Sequence, residues 1–442
     1  MTPAASPNSA APAAPPADIF LIYPGTDSCS AVTMEMPAMA PLGLAFIAGT
    51  LCQQGWRVRI LDNAVERLEP TRIAAQVRES GAFVAGIACT SLSFHNTLRV
   101  AGALRGATSA RVVVGGPHAT LMPETLMVPC VDFVVSGEGE ITMAELCAGL
   151  RDGTDASLIA GLHCRLEEGR WQRTAVRPRL ANLDVLPHPR RDLMPVNRYL
   201  NQTTEVAAGR VLSASTSRGC PYDCAFCSVE GVWGRGYRSF SASWVLDDLE
   251  ELASVYQADG VYFYEDNFTL NQKRVAALCQ GLRERRPNLR WACEGRIGSL
   301  SPELLREMKA AGCQTVKFGI ESGSPRILQL IAKDIVLPAV LDTRRLCRQA
   351  GLRFACFFMV GLPGETDEDR RQTLEFVRRL QPDLIIVNVF TPIPRSKLYL
   401  GLLKGRRFAS MDDNFVLHPP PEQQRAMEAW AARLREAADC RN

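Results

Sequence analysis

The chain has 442 residues, 47% of them apolar and 22% charged, with a net charge of +3. That length accommodates two or three domains with sizeable cores, while so weak a charge gives no electrostatic ground for binding nucleic acid or an anionic membrane. No apolar run approaches the length that spans a bilayer, and residues 1–17, rich in Ala and Pro without Lys or Arg, read as a disordered tail rather than a signal peptide.

From Ile19 the chain alternates short apolar runs with helical spacing. Ile19–Tyr23, Val58–Leu61, Phe83–Ala88, Arg111–Val114 and Val131–Val135 read as strands. Leu42–Gln54, stopped by Gly55, and the stretches Thr71–Glu79 and Asn96–Leu104 read as helices between them. Such alternation predicts a doubly wound parallel α/β sheet whose ligand sits beyond the carboxyl ends of the strands. The loops there are small and polar: Thr90-Ser91-Leu-Ser93, Gly115-Gly116-Pro-His118-Ala-Thr120, and Ser136-Gly137-Glu138-Gly139-Glu140. Three such loops on one sheet edge point to a bulky ligand held close to the backbone. His95 and His118 read as hydrogen-bonded loop residues rather than metal ligands.

Residues 151–205 read as a connector, with a hairpin from Gly161 to Trp171 and then Pro178, Pro187, Pro189 and Pro195 in an Arg-rich polar stretch. A second alternation starts at Val211, with further strands at Val261–Tyr264, Leu289–Cys293, Thr315–Ile320, Arg353–Val360 and Leu384–Phe390. Helices fall between them, one capped by Ser243, one opened by Ser301-Pro302 and one by Thr366-Asp-Glu-Asp369. Six β/α units predict a partial (β/α)6 barrel with its site at the carboxyl-terminal mouth. Polar residues follow the strands at Glu265-Asp266-Asn267, Glu294 and Arg296, Glu321-Ser322, Gly361–Glu365 and Thr391–Pro394. Residues 391–442, with a helix from Glu422 to Ala437, are expected over that mouth.

Between the first two of these strands lies Ser217-Arg-Gly-Cys220-Pro-Tyr-Asp-Cys224-Ala-Phe226-Cys227. Three thiolates on one loop can hold three corners of an iron–sulfur cluster and leave one iron open to a small chelator. A zinc site is the alternative, although no second Cys or Cys/His knuckle follows. The other twelve of the fifteen cysteines are scattered singly and read as small buried side chains in a reducing cytoplasm.

This Cys-x3-Cys-x2-Cys loop, with Phe226 before the last cysteine, resembles the radical S-adenosylmethionine (SAM) superfamily. The resemblance implies a 4Fe-4S cluster on Cys220, Cys224 and Cys227, with SAM chelated at the open iron and cleaved to a 5′-deoxyadenosyl radical. It assigns the SAM amino group to Asp266 with Glu265 nearby, the carboxylate to Arg296, the ribose to Glu321 and Ser322, and the adenine to the Phe226 backbone and the turn at Gly361. The N-terminal region resembles the cobalamin-binding domain that precedes the barrel in one branch, implying corrin contacts from Thr90, Ser91, Gly115, Gly116, His118, Gly137, Glu138 and Gly139. Pro24–Pro41 holds no His, so ligation of cobalt from that loop is excluded.

Leu186-Pro-His-Pro-Arg-Arg-Asp-Leu193 and Tyr264–Phe268 look most like the subgroup named for anaerobic magnesium-protoporphyrin monomethyl ester cyclase. The expected function is C-methylation of an unactivated carbon in a small or medium metabolite. The alternatives are cyclisation or rearrangement without methyl transfer, a cofactor-binding sensor, and a tRNA methylthiotransferase, for which Cys29, Cys52 and Cys89 have the wrong spacing. The expected partners are the substrate and an external flavodoxin- or ferredoxin-type electron donor, in the cytoplasm, with no nucleic acid and no membrane. The expected organisation is a tail to 17, a cobalamin-binding-like domain over 18–150, the connector, the barrel over 206–395 and a helical cap over 396–442.

Overall fold

In the computed structural model, residues 15–26, 39–199, 204–286 and 288–439 are described. The first sheet contains β1 (Ile19–Tyr23), β2 (Val58–Asp62), β3 (Val84–Ala88), β4 (Arg111–Gly115), β5 (Phe133–Val135), β6 (Leu162–Arg165) and β7 (Trp171–Arg173), in the order β2-β1-β3-β4-β5-β6-β7. The first five strands are parallel. The hairpin of the connector is β6 and β7, and it pairs antiparallel onto β5, so it widens this sheet. Chain order reverses between β1 and β3, which opens a crevice at the carboxyl ends of those strands.

Alternating residues divide the sheet between two cores. Ile19, Leu21, Val84 and Val113 face one core, and Phe20, Ile22, Ala85 and Ile87 the other. The helices are α1 (Leu42–Gln53), α2 (Asn63–Glu66), α3 (Pro70–Ser80), α4 (Phe94–Ala107), α5 (Pro117–Leu121) and α6 (Gly139–Asp152). α1 packs with α6 on the first face and α3 with α4 on the second. α3 begins with Pro70 and ends at Gly81, whose φ of 72° suits the left-handed cap.

The second sheet has β8 (Val211–Ala214), β11 (Gly260–Phe263), β12 (Arg290–Gly295), β13 (Cys313–Glu321), β14 (Arg353–Val360) and β15 (Leu384–Val389). All six are parallel, in the order β15-β14-β13-β12-β11-β8, and the two end strands do not pair, leaving the expected partial barrel. Two short strands, β9 (Ser217–Arg218) and β10 (Arg238–Ser239), form a separate ribbon, as do β16 (Ser410–Met411) and β17 (Leu417–His418). The helices of this half are α7 (Val229–Trp233), α8 (Ala242–Ser254), α9 (Gln272–Arg285), α10 (Pro302–Ala310), α11 (Pro325–Leu330), α12 (Leu337–Gln349), α13 (Asp367–Leu380), α14 (Lys397–Gly405) and α15 (Pro421–Asp439).

Ser301 and Thr366 cap α10 and α13 as expected. The cap of α8 is Ser241 rather than Ser243. Extended backbone at Ser241 lets its Oγ accept from Trp244 N at 3.2 Å, and the helix starts one residue before Ser243. α15 does not cover the mouth. Its apolar stripe of Met427, Ala431 and Leu434 is buried in the same core as Val387, and Arg435 donates to the Val387 carbonyl of β15. The two halves share that core, for Phe46 of α1 stacks on Phe240 at 5.7 Å, and Phe240 on Trp244 at 3.8 Å.

Candidate functional site

The cysteine loop is fastened at both ends and in its middle. β9 pairs with β10, and Cys220 bridges to Arg235. Gly219 has a φ of +85°, and a Cβ there would lie 2.6 Å from the Gly236 carbonyl oxygen, so the turn into Cys220 requires glycine. Its N–H donates to Asp266 Oδ2 at 3.0 Å. Farther along, Ala225 N donates to Ile331 O at 2.8 Å and Leu398 N to Ala225 O at 2.9 Å. Lys397 Nζ lies 2.5 Å from Asp223.

The three thiols are half-buried, whereas most of the other described cysteines are buried. Burial pushes the Cys227 thiol up to about 11 and raises that of Cys220. Zn–S bonds of ~2.3 Å in a tetrahedron would set the sulfurs of one ion about 4 Å apart. Yet the three Sγ atoms do not form a group within 4.8 Å; among the described residues only His188, Asp248 and Glu251 do so. As placed, the three sulfurs are not gathered as a single zinc ion would hold them. His188, Asp248 and Glu251 form no open site, because Arg191 occupies Asp248 at 2.5 and 3.0 Å.

The residues expected around SAM divide into two groups. Asp266 stands open to the cavity described below, with one carboxylate oxygen on the Gly219 N–H and its pKa raised by the surrounding protein. Phe226 packs against Ile327, Ile331, Leu362 and Phe390 beneath Lys333, whose Nζ is 5.6 Å from the ring. Gly361, at φ +86°, donates its N–H to Glu365 Oε2 at 2.7 Å, and a Cβ there would drive into the Met427 thioether.

Four others are already engaged by protein. Glu265 is buried and accepts from Thr216 Oγ1 at 2.6 Å and from Ser217 Oγ, so it braces the exit from β8. Arg296 donates to the Lys333 and Asp334 carbonyls, and its guanidinium lies 3.6 Å from the centre of the Tyr222 ring. That places it as a buttress for the cysteine loop instead of in the cavity. Glu321 is paired with Lys333 Nζ at 2.8 Å. Ser322 is fully buried, with Oγ 3.2 Å from Thr373 Oγ1, and presents no free hydroxyl.

A cavity of about 1050 Å³ lies between the carboxyl edge of the first sheet and the inside of the partial barrel. On the sheet side it is lined by Thr90, Gly115, Gly116, Gly137, Glu138 and Gly139. Gly116, at φ +104°, has the Cys89 carbonyl oxygen 2.8 Å from where a Cβ would stand. Bare backbone along this edge is what close approach of a flat macrocycle requires. Ser91 and His118 are corrections: neither lines the cavity. The imidazole is held by Ser91 Oγ and Thr125 Oγ1, each at 3.0 Å, and lies against Phe94 and Phe415. Burial lowers its pKa to about 4, so it is a neutral packing residue. No histidine is among the residues lining the cavity.

Other groups at the site were not expected from sequence. Arg218 is buried between Glu138 and Glu140, and Arg238 reaches Glu138 at 2.9 Å. Inside the barrel, Tyr262, Lys317 and Glu205 line the cavity beside Glu294, which was expected at its strand end. Strand alternation places Lys317 on the same face as Glu294, and that periodicity was a usable signal.

A nucleotide-type α/β sheet feeding a parallel half-barrel, with three thiols at the mouth and a glycine-lined chamber between the two, defines a cobalamin-type domain joined to a radical SAM barrel. Comparison agrees: residues 214–377 match the radical SAM superfamily and residues 37–147 the B12 binding domain. A methyltransferase of Pyrococcus horikoshii described as uncharacterized is 33% identical over 384 residues, covering 86% of this chain and 82% of the relative. The anaerobic magnesium-protoporphyrin IX monomethyl ester cyclase of Cereibacter sphaeroides is 26% identical over 375 residues, and the alignment covers 82% of this chain but only 60% of that cyclase. The radical SAM methyltransferase TsrM of Kitasatospora setae, with tryptophan and a SAM analogue bound, superposes with a TM-score of 0.75 at 20% identity, covering 94% and 89% of the two chains. The cobalamin-dependent SAM radical enzyme OxsB superposes with a TM-score of 0.75 at 16% identity, covering 94% of this chain and 66% of that one. The chain belongs to the radical SAM superfamily, in the branch with an N-terminal B12-binding domain, and is an enzyme that uses a 4Fe-4S cluster, SAM and cobalamin.

Proposed function

We propose that the protein methylates an unactivated carbon of a small or medium molecule. The observation that carries this reading is the single chamber: the glycine edge that suits a corrin and Asp266, hydrogen-bonded to the cysteine loop, line the same cavity. A relative 33% identical is described as a methyltransferase, and hopanoid C-2 methylase of Rhodopseudomonas palustris is 26% identical over 383 residues. When bound, the cluster, SAM and cobalamin supply a carbon-centred radical and a methyl donor, chemistry that no side chain provides.

The chain's own contribution is position and enclosure. Cys220, Cys224 and Cys227 would hold the cluster and leave one iron open to SAM. Asp266 fixes the Gly219 amide with one oxygen, and from its place on the cavity lining it would take the SAM amino group with the other. Arg296 and Glu265 stiffen the loop from behind, and with Glu321 spent on Lys333, Phe226 and the Gly361 turn are the groups that would back the nucleoside end. Gly115, Gly116, Gly137 and Gly139 would admit the corrin, with Thr90 beside it on the cavity edge. Electrons come from a flavodoxin- or ferredoxin-type donor in a reducing cytoplasm. No disulfide is formed among the described residues, and no described helix is long and apolar enough to cross a membrane.

Mass spectrometry of the product tests the proposal. A gain of one methylene, carrying label from methyl-labelled SAM, is expected. A skeleton closed or oxidised without that gain would place the protein with the cyclase relatives instead.

A further inference from the structure

The barrel end of the cavity has a charge pattern that bears on what enters it. Segment 204–208 closes the barrel floor: Thr315 Oγ1 and Arg353 Nη2 each donate to Glu205 O at 2.6 Å, and Arg290 Nη1 donates to Ala207 O at 2.6 Å. Above this floor Lys317 is consumed by protein. Its Nζ pairs with Glu205 at 2.7 Å and lies 4.8 Å from the Tyr262 ring and 5.0 Å from the Phe357 ring. The other cation on the lining, Arg191, is bound by Asp248.

The carboxylates are not all neutralised. Glu138, Glu140 and Glu205 face guanidinium or ammonium groups, and Glu265 lies near Arg274. Glu294 and Asp266 make no ion pair among the described residues. Glu294 lines the cavity and accepts the Tyr262 hydroxyl at 2.8 Å on Oε1, while its Oε2 has no hydrogen-bond partner among the described residues; burial raises its pKa and the nearby Lys317 opposes that rise. Val211, Leu212, Phe357 and Ile386 supply apolar wall at that end, with the hydroxyl residues Thr204, Ser213 and Ser215 also on the lining.

We propose that this end is the substrate subsite and that Glu294 there takes a hydrogen bond from a hydroxyl or ammonium group of the substrate in preference to a carboxylate or phosphate. The inference rests on the methyl-transfer reading for its word "substrate". An apolar body carrying one donor satisfies both the apolar wall and the open carboxylate oxygen, whereas an anion would meet the Glu294 oxygens with both lining cations already paired, Lys317 with Glu205 and Arg191 with Asp248.

Three probes of one skeleton test it on the cluster- and cobalamin-loaded enzyme by equilibrium dialysis: 2-phenylethylamine, 2-phenylethanol and 3-phenylpropionate. The amine is expected to bind about tenfold or more tightly than the carboxylate, with the alcohol between. Glu294→Gln is expected to abolish most of that preference, and Tyr262→Phe, which keeps the carboxylate, to retain it. Equal binding of the carboxylate, no measurable binding of the amine, or a preference that survives Glu294→Gln overturns the inference. The same wild-type preparation is scored for 5′-deoxyadenosine on reduction. Its absence would defeat the radical reading while leaving the charge preference to stand or fall separately.

Discussion

Arg218 Nη1 lies 2.6 Å from Glu138 Oε1, and the same guanidinium reaches Glu140 at 2.5 Å through Nη2. Glu138 belongs to the last glycine loop of the first sheet, and Arg218 stands two residues before the first cysteine of the cluster loop. One buried cation therefore registers the corrin edge against the radical source. Removing one member of a buried, hydrogen-bonded pair leaves its partner charged and unpaired, at a cost of about 3–5 kcal/mol. Arg218→Met is expected to lower the denaturant midpoint accordingly and to reduce cobalamin retention on a desalting column, even though residue 218 touches neither cofactor.

Gly219→Ala places a Cβ against the Gly236 carbonyl in a backbone conformation that alanine resists. The expected outcome is a loop that no longer closes around its cluster. Iron per chain after anaerobic reconstitution should fall severalfold, while circular dichroism of the two sheets is retained.

His118 gives a pH dependence of determined sign. Its folded pKa, about 4, lies below the unfolded value of about 6.5. Above pH 6.5 both states are neutral and there is no penalty. As the pH falls below 6.5 the unfolded chain binds a proton that the folded chain refuses, so stability declines, levelling off only near pH 4. The full span is at most about 3 kcal/mol. Chemical denaturation at pH 7.5 and pH 5 should show the loss in the wild type and a smaller loss in His118→Gln. Equal slopes in both would remove the buried neutral imidazole from the account.

Cys224→Ala leaves two thiols for the cluster. 5′-Deoxyadenosine formation under dithionite is expected to vanish; normal turnover in that variant would reject the cluster assignment.

Local features were legible in the sequence and long-range ones were not. The strands of both sheets follow from apolar runs of four to eight residues, and the cysteine loop from spacing alone, because each is specified by neighbours in the chain. Glycine loops at Gly115 and Gly137 announced the cavity edge for the same reason. The residues misplaced were those whose partners lie far away. Arg296 and Ser322 sit at strand ends, where a ligand contact was expected, yet their partners are Tyr222 and Thr373. His118 is covered by Phe415, and the backbone of His95 donates to Asn414, contacts that cross some 300 residues. No periodicity in either segment reports the other.

The most direct measurement is anaerobic reconstitution with iron, sulfide and hydroxocobalamin, followed by metal and corrin analysis and reduction in the presence of SAM. One four-iron cluster and one corrin per chain, with 5′-deoxyadenosine formed on reduction, are the predicted results. Zinc in place of iron, or an intact iron cluster that never cleaves SAM, would contradict the account.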